Sequence, residues 1–134
     1  MSADQQAGKG TILLMDDDEG VRFIASRTLE HMGYAVDCAE DGPEAIELHR
    51  RAVESGVPYL AVILDLTIPG GMGGAKVLEK LRELQPEVKA FVSSGYPDDP
   101  VMRNAAAHGF CGALSKPFRY EDVERVMTRH FPPK

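Results

Sequence analysis

The sequence predicts an open, doubly wound α/β fold in which helices cover both faces of a five-stranded parallel sheet. Short apolar runs alternate with longer segments of helical hydrophobic spacing, and this alternation occurs five times along the chain. The strongest strand candidate, residues 59–64, is apolar on both faces, as in a sheet that is covered on both sides. Right-handed crossovers between such strands place the helices in two layers around the sheet.

Each predicted strand is a short apolar or alternating run. The strands comprise residues 11–15, 34–38, 59–64, 90–92 and 110–114. Each predicted helix combines apolar residues at helical spacing with start or stop signals such as Asp, Pro and Gly. The first predicted helix covers residues 21–32 and ends before Gly33. The second begins at residues 41–44 and ends at 56–58, and the third runs from the loop 69–74 to Pro86. The fourth runs from Asp99-Pro100 to Gly109, and the fifth from Tyr120 to residues 132–133.

Length and composition indicate a single core-forming domain. The chain has 134 residues, of which 43% are hydrophobic and 27% are charged, and domains of about 100–150 residues are the commonest size. We predict a flexible N-terminal tail or linker over residues 1–10 and the folded domain over residues 11–131. The two cysteines, Cys38 and Cys111, are expected to be small buried thiols and not a disulfide.

Charge and hydropathy exclude several kinds of partner. The net charge of −6 disfavours direct contact with nucleic acid or with an anionic membrane surface. The longest apolar run, residues 60–64, is far shorter than the about 20 residues that cross a bilayer. The N-terminus also lacks the apolar segment of a secretory signal. We therefore expect a cytoplasmic domain.

Polar residues follow four of the predicted strands. They are Asp16-Asp17, Asp65, Ser94 and Lys116. Each alone also fits an ordinary turn or surface position, but the carboxyl ends of parallel strands meet at one edge of the sheet, where such folds bind ligands. Clustered carboxylates repel one another unless a cation is present, and Mg2+ prefers such oxygen ligands. Together with a hydroxyl and a lysine, they predict phosphoryl transfer to an aspartate nucleophile.

Four segments give the chain a resemblance to a known family. They are ILLMDDDEGVR, VILDLTIPGGMGG, FVSSGY and LSKPF. In their order and spacing they resemble the receiver domain of two-component response regulators over residues 11–131. Within that family they look most like the receivers of hybrid sensor histidine kinases. The resemblance implies a flavodoxin-like sandwich with the strand order 2-1-3-4-5.

The resemblance also implies a role for each matching residue. Asp65 would be the phosphoacceptor, and Asp16 and Asp17 would be the acid pair that holds Mg2+ or Mn2+, with Asp17 favoured as the direct ligand. The remaining roles are a metal contact from the Thr67 backbone carbonyl, a phosphoryl hydrogen bond from Ser94, an ion pair from Lys116, and a cis bond before Pro117. Asp18 and Glu19 fall outside the motif, and we expect them to cap the helix or to be solvated.

By the same resemblance, the domain would take a phosphoryl group from a histidine kinase or histidine phosphotransfer domain that docks on the first helix, and would then change conformation. It would not be an enzyme in isolation, apart from its own aspartyl phosphorylation and dephosphorylation, and the parent chain could be a hybrid kinase.

Two features depart from the family pattern: Ala113 replaces the switch aromatic, and the loop 69–74 has an extra glycine. Tyr96 would either shield the phosphoryl group or pack on the fourth helix.

Two other functions are open at this point. A receiver that binds proteins without phosphorylation is one, although the complete acid, serine and lysine set argues against it. The other is a haloacid-dehalogenase-like phosphatase with Asp16 and Asp18 as its nucleophile loop. That family usually needs a longer chain, and Gly20 occupies the position of its catalytic threonine or valine.

Overall fold

A five-stranded parallel sheet forms the centre of the structure, a computed structural model that describes residues 8–132. The strands are paired in the order β2-β1-β3-β4-β5, which confirms the predicted fold class and strand order. They are β1 (Thr11–Met15), β2 (Ala35–Ala39), β3 (Ala61–Asp65), β4 (Ala90–Ser94) and β5 (Gly112–Ser115).

Five helices connect and cover these strands. They are α1 (Glu19–His31), α2 (Gly42–Glu54), α3 (Gly74–Leu84), α4 (Pro100–Arg103) and α5 (Tyr120–His130). Aspartates begin three of them: the carboxylates of Asp18, Asp41 and Asp99 accept hydrogen bonds from backbone N–H groups of the first helical turn. The capping role expected of Asp18 is therefore confirmed, and α1 begins directly behind the acidic segment that follows β1.

Two hydrophobic cores lie on opposite faces of the sheet because successive strand residues point to opposite sides. One core joins the sheet to α2, α3 and α4, and it includes Leu13, Leu64, Val77, Leu81 and Val92. The other joins the sheet to α1 and α5, and it includes Leu14, Leu29, Ile63, Phe91 and Met127. Burial of each large side chain contributes about 1.5–3 kcal/mol, so both cores hold the strand ends in fixed positions.

The main local difference from the predicted elements concerns the fourth helix. The predicted continuous helix is a four-residue α4 followed by a 3-10 turn, Ala105–His108. Asn104 has φ −140° and ψ 59°, which are not helical values, and interrupts the two. Strand bounds also shift: β2 begins at Ala35 because the Tyr34 N–H donates to Leu29 O at the end of α1.

The prediction of buried cysteines is wrong. Cys38 and Cys111 are both free and exposed. Cys38 lies on the edge strand β2, and Cys111 directly precedes the edge strand β5, so neither is covered by a neighbouring strand on its outer side. The Cys38 Sγ lies 3.2 Å from the Ser26 Oγ.

Most of the predicted N-terminal tail, residues 1–7, lies outside the described residues. Its last two residues contact the folded domain: Lys9 N–H donates to Gly33 O, and Gly10 O accepts from Ala35 N–H. The tail and domain boundaries stay predictions. Within residues 8–132, no helix has the length and apolar character needed to cross a membrane.

Candidate functional site

The predicted site residues lie at the carboxyl edge of the sheet. Asp16 directly follows β1, Asp65 is the last residue of β3, Ser94 is the last residue of β4, and Lys116 directly follows β5. The pairing of β1 with β3 and of β3 with β4 brings these ends side by side. Strand order thus brings together residues that are far apart in the sequence.

Three carboxylates form the centre of the site. Oxygen atoms of Asp16, Asp17 and Asp65 all lie within 4.8 Å of one another. Asp16 is fully buried and Asp65 is 4% exposed, whereas Asp17 is exposed. The ammonium group of Lys116 lies 2.7 Å from Asp16 Oδ2 and 3.1 Å from Asp65 Oδ2. One lysine therefore offsets part of the repulsion between two buried carboxylates.

Both oxygens of the Asp16 carboxylate are engaged within the protein. Its Oδ1 accepts from the Asp18 N–H at 2.9 Å, and its Oδ2 is the Lys116 partner. The backbone N–H of Asp16 donates to Ala39 O, which fixes the residue to the end of β2. Asp17 is left as the exposed carboxylate of the pair, which agrees with its expected role as the direct metal ligand.

The local charges shift the pKa of two site residues. Burial raises the pKa of Asp65, and the Asp16 charge raises it further, while Lys116 and the Thr67 N–H oppose the shift. For Lys116, burial acts to lower the pKa, but the Asp16 and Asp65 carboxylates outweigh it and the net shift is upward. The ammonium group is therefore charged at neutral pH, beside a carboxylate whose ionised form is disfavoured.

The donor set fits a hard divalent cation. Three carboxylates in so small a space with one lysine leave an excess of negative charge, and Mg2+ binds such oxygens together with several waters. Asp16, Asp17 and Asp65 are the residues that could hold it. Thr67 makes a different contact from the predicted one, since its N–H donates to Asp65 Oδ1 at 3.3 Å. Metal ligation by the Thr67 carbonyl stays a prediction.

Comparison with known proteins identifies the family. The response regulator receiver domain family matches residues 12–128, nearly the whole described chain. The chain belongs to this family.

Individual relatives agree with this assignment. The receiver domain is 36% identical over 121 residues to the sensor kinase CckA of Brucella abortus, covering 90% of this chain and 12% of that protein. It is 24% identical over 123 residues to sporulation initiation phosphotransferase F of Bacillus subtilis, covering 92% of this chain and 94% of that protein. The chain thus spans a small part of one relative and nearly all of the other.

Solved structures confirm the fold. The receiver domain superposes on a chain of the CheX-CheY-BeF3-Mg2+ complex from Borrelia burgdorferi with a TM-score of 0.80 and 20% identity. The match covers 91% of this chain and 89% of that chain.

Two adjacent serines at the end of β4 have different environments. Ser94 Oγ accepts from the Tyr96 N–H at 3.0 Å, so the hydroxyl contacts the loop that leads to α4. Ser93 pairs with Asp65 in the β3–β4 register, and its hydroxyl is buried without a hydrogen-bond partner among the described residues. Tyr96 is 75% exposed, so the expectation that it packs on the fourth helix is wrong, and shielding of a phosphoryl group stays a prediction.

The loop after β3 passes close to the Asp65 backbone. A Cβ at Gly73 would lie 2.3 Å from Leu66 O, and one at Gly74 would lie 2.8 Å from Asp65 O. Both positions therefore require glycine for a steric reason. Directly after β5, the Lys116–Pro117 peptide bond is cis, as the family resemblance implies.

One contact of the acidic segment was not predicted from the sequence. The Arg22 side chain, on the first turn of α1, donates from Nη1 to the Asp16 backbone O at 2.8 Å. Its Nη2 lies 3.6 Å from Glu40 Oε1. A basic residue in a first helical turn is a signal that could have been noticed, because the helix dipole disfavours it there.

Proposed function

We propose that this receiver domain accepts a phosphoryl group on Asp65 from a phosphohistidine of a histidine kinase or histidine phosphotransfer domain. The observation that carries this proposal is the Asp65 carboxylate, which lies within 4.8 Å of the Asp16 and Asp17 oxygens and 3.1 Å from Lys116. This arrangement supplies a nucleophile, a metal site and a fixed cation at one sheet edge.

The transfer step exchanges one bond to phosphorus for another. An Asp65 carboxylate oxygen attacks the phosphorus atom of the N-phosphorylated imidazole, the new O–P bond forms, and the P–N bond breaks. The imidazole nitrogen leaves with the bonding pair and takes a proton from solvent. The product is an acyl phosphate on Asp65. Its charge is about −1.5 to −2, whereas the unmodified carboxylate carries −1.

The surrounding residues bind and orient the transferred group. Lys116 would pair with a phosphoryl oxygen in place of part of its contact with Asp65, and Ser94 would donate a hydrogen bond to another. Asp16, Asp17 and Asp65 would hold Mg2+, which when bound neutralises charge on the transferred oxygens. Mn2+ has similar ligand preferences and would be an alternative ion.

The partner would dock beside α1. Phe23 and Ile24 are 63% and 53% exposed on this helix, which begins next to the acid pair. Large exposed apolar side chains next to a reactive site are suited to contact with another protein. A partner seated there could present its phosphohistidine to Asp65.

Phosphorylation would change the hydrogen bonding of Ser94. If the Ser94 side chain rotates to donate to a phosphoryl oxygen and its Oγ moves away from the Tyr96 N–H, the loop between β4 and α4 loses a constraint. Ala113 has no aromatic ring to follow this movement. We therefore propose that the response is concentrated in the loop over residues 95–99 and in the short α4.

The larger protein and its setting are also part of this proposal. The 36% identity to a sensor kinase of which this chain covers 12% supports a hybrid kinase as the parent protein. We propose a cytoplasmic location, with no direct contact to nucleic acid or membrane by this domain. Apart from its own aspartyl phosphorylation and dephosphorylation, the domain would carry out no catalysis.

The test is the intact mass of the full chain after incubation with phosphoramidate, with and without Mg2+. We expect one added phosphoryl group in the wild type that requires Mg2+, no addition in Asp65→Asn, and normal addition in Glu83→Gln, which removes an exposed carboxylate of α3 that is not part of the acidic cluster. Beryllofluoride binding detects the site even if the acyl phosphate hydrolyses quickly. Absence of both the adduct and the beryllofluoride complex would contradict the proposal and favour a phosphorylation-independent binding module.

The phosphatase alternative makes a different prediction for Asp18. That reading needs Asp18 in the reactive site, but its carboxylate accepts from the Val21 N–H and caps α1. Multiple turnover of a phosphoester substrate, lost in Asp16→Asn and kept in Asp65→Asn, would support the phosphatase instead.

A further inference from the structure

Arg22 links three segments at the acidic end of the sheet. Its backbone N–H donates to Asp18 O, its Nη1 donates to Asp16 O at 2.8 Å, and its Nη2 lies 3.6 Å from Glu40 Oε1. The Arg22 side chain is only 15% exposed. Because the dipole of α1 disfavours a cation in its first turn, these contacts give the physical reason why the charge can stay there.

The contact with the Asp16 carbonyl controls the residue that follows. A peptide unit is planar, so the carbonyl oxygen of Asp16 and the Cα of Asp17 lie in one plane. An N–H donor that holds this oxygen therefore also sets the direction in which Asp17 leaves the backbone. Other contacts hold the residues on both sides of Asp17: the Asp16 N–H donates to Ala39 O, Lys116 pairs with Asp16 Oδ2, and the Asp18 N–H donates to Asp16 Oδ1. The Arg22 contact adds a hold on the carbonyl of the Asp16–Asp17 peptide unit.

We propose that Arg22 is a positioning residue for metal binding: by holding the Asp16 carbonyl, it directs the exposed Asp17 carboxylate toward Asp16 and Asp65. This inference rests on the proposed function, because it concerns the Mg2+ site of that function. Glu40 is the accessory partner. Its own backbone N–H donates to Glu44 Oε1 at 2.8 Å, so it is fixed to the start of α2.

The sign of the effect separates positioning from simple electrostatics. Arg22 is a cation that contacts the backbone carbonyl of Asp16, beside the acid pair, so its charge alone opposes the binding of Mg2+. Loss of the charge would by itself tighten metal binding. If Arg22 acts by positioning, its removal weakens metal binding instead, and loss of a contact behind the ligands typically costs tenfold or more in metal affinity.

The experiment measures Mg2+ affinity of the full chain by isothermal titration calorimetry, together with amide hydrogen exchange of the metal-free protein. For Arg22→Ala we expect a Kd raised about tenfold and faster exchange confined to residues 16–18. Arg27→Ala, which removes an exposed cation from the same helix, and Glu40→Gln, which keeps the Arg22 contact with Asp16, should both stay within about twofold of the wild type.

A Kd for Arg22→Ala that equals or falls below the wild-type value, in a folded variant, overturns the inference. If Arg22→Ala does not fold, Arg22→Met decides the question: it keeps most of the apolar stem of the side chain but has no N–H donor for the Asp16 carbonyl. A raised Kd then supports positioning, and an unchanged or lowered Kd contradicts it. If the wild-type chain binds no Mg2+, the proposed function and this inference are both contradicted. If the wild type binds Mg2+ and the variants bind it equally well, only this inference is contradicted.

Discussion

The ammonium group of Lys116 lies 2.7 Å from the Asp16 carboxylate within the acidic site. Asp16 is fully buried, so this contact replaces the solvation that the carboxylate loses on folding. Lys116 also contacts Asp65, the proposed phosphoacceptor. The lysine that would bind a phosphoryl group is thus a structural counter-ion before any phosphoryl group arrives.

Replacement of this lysine should destabilise the domain in the absence of metal. Lys116→Met keeps most of the side-chain volume but leaves Asp16 and Asp65 buried without their cation, which should cost about 3–5 kcal/mol at pH 7. The loss should shrink toward pH 4, because burial and the Asp16 charge raise the pKa of Asp65 and its carboxylate takes up a proton more readily. Urea unfolding at both pH values measures it. Lys76→Met, at an exposed lysine on α3, should change stability by less than about 0.5 kcal/mol; equal losses in the two variants would contradict the prediction.

Replacement of the phosphoacceptor should have the opposite effect on stability. Burial and Asp16 raise the pKa of Asp65, so above about pH 4 the native state binds a proton more readily than the unfolded state, and stability falls as pH rises. Asp65→Asn removes the disfavoured charge. In metal-free buffer at pH 7 its midpoint of thermal unfolding should exceed that of the wild type, and the difference should vanish near pH 4. A less stable variant at pH 7 would show that the Lys116 contact outweighs the repulsion.

The place of the site in the fold could be predicted from the sequence. Asp16, Asp65, Ser94 and Lys116 follow separate strands, and in a parallel sheet strand ends converge whatever the details of packing. The sequence order of short apolar runs was therefore enough to bring them to one edge. Their individual roles needed the family resemblance, because an aspartate after a strand is also an ordinary turn residue.

Contacts that depend on side-chain reach or on the sheet edges could not be predicted in this way. The bond from Arg22 to Asp16 O depends on the rotation of α1 about its axis, which hydrophobic spacing defines only coarsely. The exposure of Cys38 and Cys111 follows from strand order, since β2 and β5 are the edges. The break at Asn104 lies in a segment whose apolar spacing fits one continuous helix.

The adjacent serines of β4 should respond differently to loss of the hydroxyl group. The Ser93 hydroxyl is buried and has no hydrogen-bond partner within residues 8–132, so Ser93→Ala removes an unsatisfied polar group and should stabilise the domain by up to about 1 kcal/mol. Ser94→Ala removes the acceptor of the Tyr96 N–H and should cost about 1 kcal/mol. Chemical unfolding of the two variants in one buffer compares them directly. Stabilisation by Ser94→Ala, or destabilisation by Ser93→Ala, would contradict the different environments assigned to the two hydroxyl groups.

A buried histidine that is not part of the acidic cluster should make the domain sensitive to acid. His49 on α2 is fully buried, its ring stacks on Tyr59 with centroids 6.1 Å apart, and neither ring nitrogen has a hydrogen-bond partner among the described residues. Burial lowers the pKa of His49, and the nearby Gln85 side chain opposes this shift. The native state therefore keeps the ring neutral at pH values where the unfolded chain binds a proton.

The sign of the resulting pH dependence follows from proton linkage. Below about pH 6.5 the unfolded chain takes up the His49 proton first, so stability should fall as pH decreases, by up to about 1.4 kcal/mol per pH unit. His49→Met fills a similar volume with an apolar, adaptable side chain and should lose this slope between pH 7 and 5. His108→Asn, at an exposed histidine, should keep the wild-type slope. Urea unfolding at several pH values measures all three proteins, and an unchanged slope in His49→Met would assign the acid sensitivity to other groups.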